Sequence, residues 1–345
     1  MGKYSFKNDY SELAHPKVLE KLSSLGNTQF EGYGLDKYSH EASTLIRDKI
    51  NMNSCDIHFV SGGTHANLIT LSSMLRPHQA VISCDMGHIF TNETGAIEAT
   101  GHKICTSPGT DGKLYPKDIE HVLAKHDNEH RVKPKVVFIS HSTEIGTVYT
   151  KDELMTLSKI CKDNELYLYV DGARLGQGIN SHACDLTYHD IATFADAFYI
   201  GGTKNGALFG EAIVITNDCL KEDFRFFLKQ RGGLMAKGAV IGLQFLALFE
   251  DDLFDELAKR ANDTANRLAK GIESLGIGFL TKTFSNQVFP IFPTELSNKL
   301  HDLYGFYNWT KVDDNKVAAR LVVSWATPEK IVDDLIKNLD YFSSR

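Results

Sequence analysis

A chain of 345 residues, 42% hydrophobic and 23% charged with a net charge of −7, can build a sizeable core and is too weakly charged to stay disordered. Its acidic balance excludes the basic surface that non-specific nucleic-acid binding requires. The longest apolar run, Gly238 to Phe249, falls short of the ~20 residues that span a bilayer. The opening MGKYSFKNDYSEL lacks the apolar centre of a secretory signal. The six cysteines (Cys55, Cys84, Cys105, Cys161, Cys184, Cys219) form no C-x-x-C pair and imply neither a disulfide framework nor a zinc ribbon. A reduced, cytoplasmic protein with no membrane or nucleic-acid partner is expected.

In chain order, DIHFVS (56–61) reads as a strand, and Asn67 to Leu75 repeats apolar residues at helical spacing. QAVIS (79–83) and KPKVVFIS (133–140) are further strands. A helix is expected over Lys151–Asp163, then a strand in ELYLYVDGAR that ends near Asp171. DAFYIGG (196–202) and EAIVIT (211–216) follow. Strands alternating with helices predict a mainly parallel α/β sheet with helices on both faces. After about residue 235 the pattern changes. One long helical stretch is expected over 236–275, ended by Gly276, then short strands near IGFLT, QVFPIF and ARLVVSW. A last helix opens at Pro328. Residues 1–240 are therefore expected to form a large α/β unit with the N-terminal segment, and 241–345 a smaller α+β unit.

Ligands of parallel sheets collect at the carboxyl ends of strands. Asp171, in VDGAR, and Lys204, in YIGGTK, both lie just past such ends. An acid and a lysine at one rim suit pyridoxal 5'-phosphate: the lysine forms a Schiff base with the aldehyde, and the acid keeps the ring nitrogen protonated. Taken singly, each could equally be a cap or a surface charge. SGGTHANL (61–68) is a glycine-rich strand-to-helix turn, where Gly62 and Gly63 allow backbone N–H groups to approach a phosphate. It is neither G-x-G-x-x-G nor a P-loop, which argues against a nicotinamide dehydrogenase. His88, past the second strand, could stack on a flat ring, move a proton or serve a structural role. Arg174 and Arg320 are candidate carboxylate clamps or rim salt-bridge partners. His121, His126 and His130 flank a charged segment that reads as a solvated loop, and no metal site is expected.

These residues resemble the threonine aldolases, within the fold-type-I pyridoxal phosphate enzymes related to β-eliminating lyases, over nearly the whole chain. FKNDY resembles the family's S-D-T opening, and EGYGLD its Y-G-D-D-P segment. SGGTHAN resembles the phosphate turn P-T-G-T-Q-A-N, and DMGHIFTNETGA the A-x-x-H-x-x-x-x-E-x-G-G stretch. VDGAR is shared intact, YIGGTKNGALFGE resembles the lysine segment S-K-G-L-x-x-P-x-G, and RGGLMAKG resembles G-G-G-M-R-Q.

The resemblance implies that Lys204 holds the cofactor, Asp171 pairs with its ring nitrogen and His88 stacks on the ring. Gly63, Thr64, His65 and Thr203 would hold the phosphate. Arg174 and Arg320, with Asn8, would bind the substrate carboxylate, and Tyr33 would line the pocket, its own or a neighbouring subunit's. A homodimer or homotetramer with shared active sites is implied. Three features depart from the family: Glu144 stands where its histidine meets the substrate hydroxyl, the lysine segment reads T-K-N-G in place of S-K-G-L, and Lys237 replaces an arginine. Glu144 and His88 are the candidate bases. The implied reaction is cleavage of a β-hydroxy-α-amino acid to glycine and an aldehyde. The alternatives are another pyridoxal phosphate lyase or racemase acting on a small amino acid, and a catalytically silent binding protein on the same fold.

Overall fold

The computed structural model describes residues 3–343. At its centre is a seven-stranded sheet: β1 (Asp56–Val60), β2 (Gln79–Cys84), β3 (Lys103–Ser107), β4 (Lys133–Ser140), β5 (Tyr167–Asp171), β6 (Ala197–Gly201) and β7 (Glu211–Ile215). The spatial order is β1-β7-β6-β5-β4-β2-β3. β7 runs antiparallel to both β1 and β6; the remaining pairings are parallel, as a mainly parallel sheet requires.

Side chains alternate between two cores, as the pleat requires. Ile82, Val137, Leu168, Phe198 and Val214 enter one cluster. Their neighbours Val81, Phe138, Tyr169, Tyr199 and Ile213 enter another. Burial on both faces is why these strands read as continuous apolar runs. The strand β3 escapes sequence reading because it is a short edge strand with Lys103 and Thr106 exposed.

Helices α1 (Lys37–Ile50), α2 (Gly63–Met74), α3 (Lys151–Asp163) and α4 (Ala239–Phe249) flank the sheet. The start of α3 is fixed by a reciprocal cap between Thr150 and Glu153. The single helix expected over 236–275 is two helices, α4 and α5 (Leu253–Ser274). Between them Asp251 and Asp252 adopt positive φ of 54° and 55°. Three successive acids at the end of α4 oppose its dipole. Lys21 and Lys49 hold Glu250 and Asp252 from neighbouring elements, at 2.7 and 2.9 Å. Gly276 ends α5 at φ 75°, as expected.

Beyond it, β11 (Lys316–Val322) pairs antiparallel with β8 (Gln287–Val288), β9 (Ile291–Pro293) and β10 (Tyr307–Lys311). QVFPIF is broken between β8 and β9 at Pro290, which has no N–H for a ladder. The strand expected in IGFLT is only a bridge from Phe279 to Pro290. The final helix α6 (Glu329–Ser343) packs on α5. A third core gathers Leu268, Val288, Phe292, Leu321, Leu335 and Leu339, and Phe6 joins it from the N-terminal segment.

Among the described residues no helix is long and apolar enough to cross a membrane, and all six cysteines are free. Of the three histidines weighed as a metal cluster, His126 lies between the Val132 carbonyl and Cys105.

Candidate active site

A cavity of about 340 Å³ opens at the carboxyl ends of the sheet strands. Asp171 ends β5, Lys204 follows β6, Ser140 ends β4, and Gly62 and Gly63 join β1 to α2; all line it, together with His88, Glu144, Thr64, Thr203, Arg174, Tyr10 and Glu211. Chain folding thus brings together most of the residues singled out from sequence.

Asp171 is buried and held from three sides. Its Oδ1 accepts from the Tyr199 hydroxyl at 2.5 Å and from the Ala173 N–H at 2.9 Å, and its Oδ2 from the Asn67 amide at 3.0 Å. Asn67 also donates to Glu93 at 2.8 Å, while its own oxygen accepts from Tyr169 at 3.0 Å. The two carboxylates, which only accept, fix which way the amide points. Glu93 in turn accepts the Nδ1–H of His88 at 2.8 Å. His88 and Asp171 are therefore two ends of one buried polar chain. Asn67, Glu93 and Tyr199 were missed from sequence, although Asn67 and Glu93 stand inside the motifs quoted for the turn and for His88.

Lys204 lies at the cavity floor. Burial and the charge of Arg174 push its amine below the ordinary lysine range, against the pull of Asp9, Asp171 and Glu211. Glu144, also on the cavity lining, accepts from the Ser140 hydroxyl at 2.7 Å and from the His88 backbone N–H at 2.9 Å. Burial holds its carboxyl above the usual carboxylate range, with the Ser140 bond opposing. Ser142 Oγ is buried on the same wall with no hydrogen-bond partner.

The two arginines differ. Arg174 makes a two-pronged pair with the buried Asp9, Nε to Oδ2 at 2.7 Å and Nη2 to Oδ1 at 3.0 Å. Asp9 also accepts from Asn286 at 2.8 Å. Burial alone would raise the Asp9 carboxyl, but the attraction of Arg174 and then Lys204 outweighs it and holds it low. Arg320 is held by a neutral group, the Gln287 side-chain oxygen, at 2.7 and 3.1 Å, and lies over the Trp309 ring. Burial and the charge of Arg174 push it down to about 10.

At the turn between β1 and α2, Gly63 is required by close approach: a Cβ there would lie 2.9 Å from the Tyr199 hydroxyl. Thr64 lines the cavity. His65 instead braces the turn, donating from Nε2 to the Arg231 carbonyl and accepting at Nδ1 from Ser61, both at 3.0 Å. The Thr203 hydroxyl donates to Glu211 at 2.8 Å and accepts from the Gly210 N–H at 3.0 Å, so its one proton faces Glu211. Asn8 closes its own turn by accepting from Tyr10 and Ser11, and its neighbour Asp9 is the residue that reaches Arg174. Tyr33, at φ 62°, lies outside this cavity with its ring under Lys229. Lys237 is exposed.

Residues 26–293 match the model of the beta-eliminating lyases. The chain is 31% identical over 335 residues to the low specificity L-threonine aldolase of Pseudomonas sp. (strain NCIMB 10558), covering 96% of this chain and 95% of that protein. A shorter match, 27% over 194 residues, is to the low specificity L-threonine aldolase of Escherichia coli K12. Among solved structures, a Leishmania major threonine aldolase superposes with a TM-score of 0.97 at 47% identity, covering 98% of this chain and 99% of that one. A Thermus thermophilus aspartate aminotransferase shares the fold at a TM-score of 0.74 and 14% identity, covering 98% of this chain and 91% of that one. With the paired Asp171 and Lys204 on the cavity wall, these likenesses place the chain in the beta-eliminating lyase family, among its threonine aldolases, as a pyridoxal phosphate-dependent lyase.

Proposed function

We propose that the chain cleaves L-threonine and related β-hydroxy-α-amino acids to glycine and an aldehyde. The observation that carries this reading is one cavity lined by Asp171, Lys204, Arg174, Glu144 and His88, with Glu144 bonded to the His88 N–H and Arg320 within the electrostatic reach of Arg174. The donor set fits pyridoxal phosphate. An anchored carboxylate suits the ring nitrogen, a buried lysine suits the aldehyde, and the N-terminus of α2 at Gly62–Thr64 suits the phosphate. Ser142 Oγ, buried and unpartnered on the cavity wall, remains to be satisfied by a polar group entering the site. When bound, the cofactor supplies an electron sink for the pair released at the substrate Cα.

The chain's own residues do the rest. Asp171 would hold the ring nitrogen, and its three donors keep the carboxylate aimed. Lys204 would hold the aldehyde, and on release its amine can carry a proton to or from Cα. Arg320, with no ion-pair partner among the described residues, would take the substrate carboxylate in a two-pronged grip, while Arg174 lines the cavity beside it. This grip decides which bond at Cα faces the ring. Glu144 would remove the β-hydroxyl proton; a carboxyl raised by burial is a better base near neutral pH than an ordinary one. The active unit is an assembly of at least two copies, with Tyr33 serving a neighbour's cavity.

The test is an absorbance spectrum of the purified holoprotein before and after borohydride, with L-threonine added to a second sample. A visible band that borohydride removes, fixing the cofactor on Lys204, with glycine and acetaldehyde released, is expected. Lys204→Ala should lose both band and turnover. A reducible band with no cleavage of any β-hydroxy amino acid would overturn the aldolase reading and leave another lyase or a racemase.

A further inference from the structure

Glu211 has no part in the chemistry so far, yet it is the buried acid closest in the chain to Lys204. It opens β7, opposite Gly201 on β6 and Val60 on β1, and it lines the cavity floor with Lys204. No arginine or lysine forms an ion pair with it among the described residues. Its carboxylate is instead bonded to the two residues immediately before Lys204. Oε2 accepts from the Gly202 N–H and Oε1 from the Thr203 hydroxyl, both at 2.8 Å. The Gly210 N–H then closes onto Thr203 Oγ1 at 3.0 Å. An acid without a counter-ion has been built into the loop that carries the lysine.

A buried carboxyl bonded only to neutral donors is expensive to keep ionised. A buried amine is likewise expensive to keep charged, and here Arg174 repels it. Passing one proton between two such groups leaves the net charge of the cavity unchanged, so each relieves the other's penalty. Lys204 needs such a partner, because its amine must be free of the cofactor during turnover and must then give or take a proton.

We propose that Glu211 is a positioning residue that shares one proton with Lys204, setting the charge of the lysine side chain as the cofactor is bound and released. The inference rests on Lys204 being the residue that holds the cofactor. Burial pushes the Glu211 carboxyl up to about 7, and burial with the charge of Arg174 moves the Lys204 amine down toward it. The other titratable and charged groups facing the pair are Asp171 and Tyr169 on β5, Tyr199 on β6, Arg174, and Asp9 from the N-terminal segment.

The test is the visible absorbance of the holoenzyme titrated with acid and base. The native protein should show a limb near neutrality that belongs to Glu211. In Glu211→Gln that limb should vanish, and the remaining midpoint should fall by about one pH unit or more, a tenfold change in proton affinity. The direction follows because a carboxylate favours positive charge on the lysine nitrogen and an amide does not. Glu211→Asp should restore part of the limb. Glu211→Gln with an unmoved titration and lowered turnover would overturn the proposal and leave only a loop clamp. If Glu211→Gln does not fold, Thr203→Val decides. It removes a donor that favours the ionised acid, so the limb should move to higher pH, and an unmoved limb would again overturn the proposal. Borohydride labelling of the same samples separates the premises: a label absent from Lys204 means that the lysine assignment has failed, whereas a label on Lys204 with an unmoved titration means that only the role of Glu211 has.

Discussion

Arg174 and Arg320 repel each other, and the protein pairs only one of them with an acid. Asp9 neutralises Arg174, while Arg320 has Gln287, which accepts two hydrogen bonds but carries no charge. The uncompensated cation is the one with most to gain from an incoming carboxylate. Arg320→Lys keeps the charge and loses the fork, so KM for threonine should rise about tenfold or more, equivalent to ~1.4 kcal/mol, with the thermal midpoint little changed. A KM at the native value would refute this division of labour. Glu144 makes a second prediction. As a base it must be ionised, so activity should fall as pH drops through a limb above the ordinary carboxylate range, because burial holds its carboxyl up. Glu144→Gln should lower kcat by roughly 10²–10⁴-fold and abolish that limb; a pH–rate profile identical to the native one would exclude Glu144 as the base. Asp171 and Lys204 could be read in the sequence because each closes an apolar strand. Asp9 could not be recognised as the partner of Arg174, because nothing local marks a bond between residues so distant in the chain. Thr203 and His65 show the converse limit: residue type and position suggested a phosphate, whereas their bonds to Glu211, Ser61 and the Arg231 carbonyl could not be read from sequence.

Elements place these side chains through a few close approaches. β1 enters α2 through Gly63, whose missing side chain leaves room for the Tyr199 hydroxyl, and that hydroxyl bonds Asp171. One glycine therefore links the turn proposed for the phosphate to the acid proposed for the ring nitrogen. Gly63→Ala should push Tyr199 off Asp171 and weaken cofactor binding about tenfold or more by equilibrium titration (~1.4 kcal/mol). In a Tyr199→Phe background the clashing oxygen is gone, so the same substitution should cost much less. Equal costs in both backgrounds would show that the turn itself, and not Tyr199, suffers. The glycine-rich turn was legible as an element; the reason for its second glycine lies on β6, more than a hundred residues on. The single helix expected over 236–275 failed for a related reason. Its apolar periodicity continues across the break, and only lysines from elsewhere show why Glu250–Asp252 turns outward.

At the scale of the whole molecule, the N-terminal segment joins the third core to the active site. Phe6 is fully buried in that core, its N–H bonds the Gly305 carbonyl, and its own carbonyl accepts from Val322. Three residues later Asp9 meets Arg174 and Asn286 inside the cavity wall, and Tyr10 lines the cavity itself. The fold class was readable from strand and helix alternation, but this threading was not, because a two-residue strand, Tyr4–Ser5, has no periodicity to detect. The arrangement predicts that substrate affinity depends on a distant core. Phe6→Ala should cost about 3–5 kcal/mol of stability and also raise KM for threonine, since the anchor that holds Asp9 against Arg174 is loosened. Leu339→Ala supplies the comparison: Leu339 is equally buried in the same core, on α6. That change should cost about 2–5 kcal/mol and leave KM near the native value, because no hydrogen bond runs from Leu339 toward the cavity. Denaturant midpoints establish that both variants have lost stability, and KM measured well below those midpoints separates them. A rise in KM common to both would mean that the third core acts on the site through overall softening. A rise confined to Phe6→Ala means that the path runs along the N-terminal segment to Asp9.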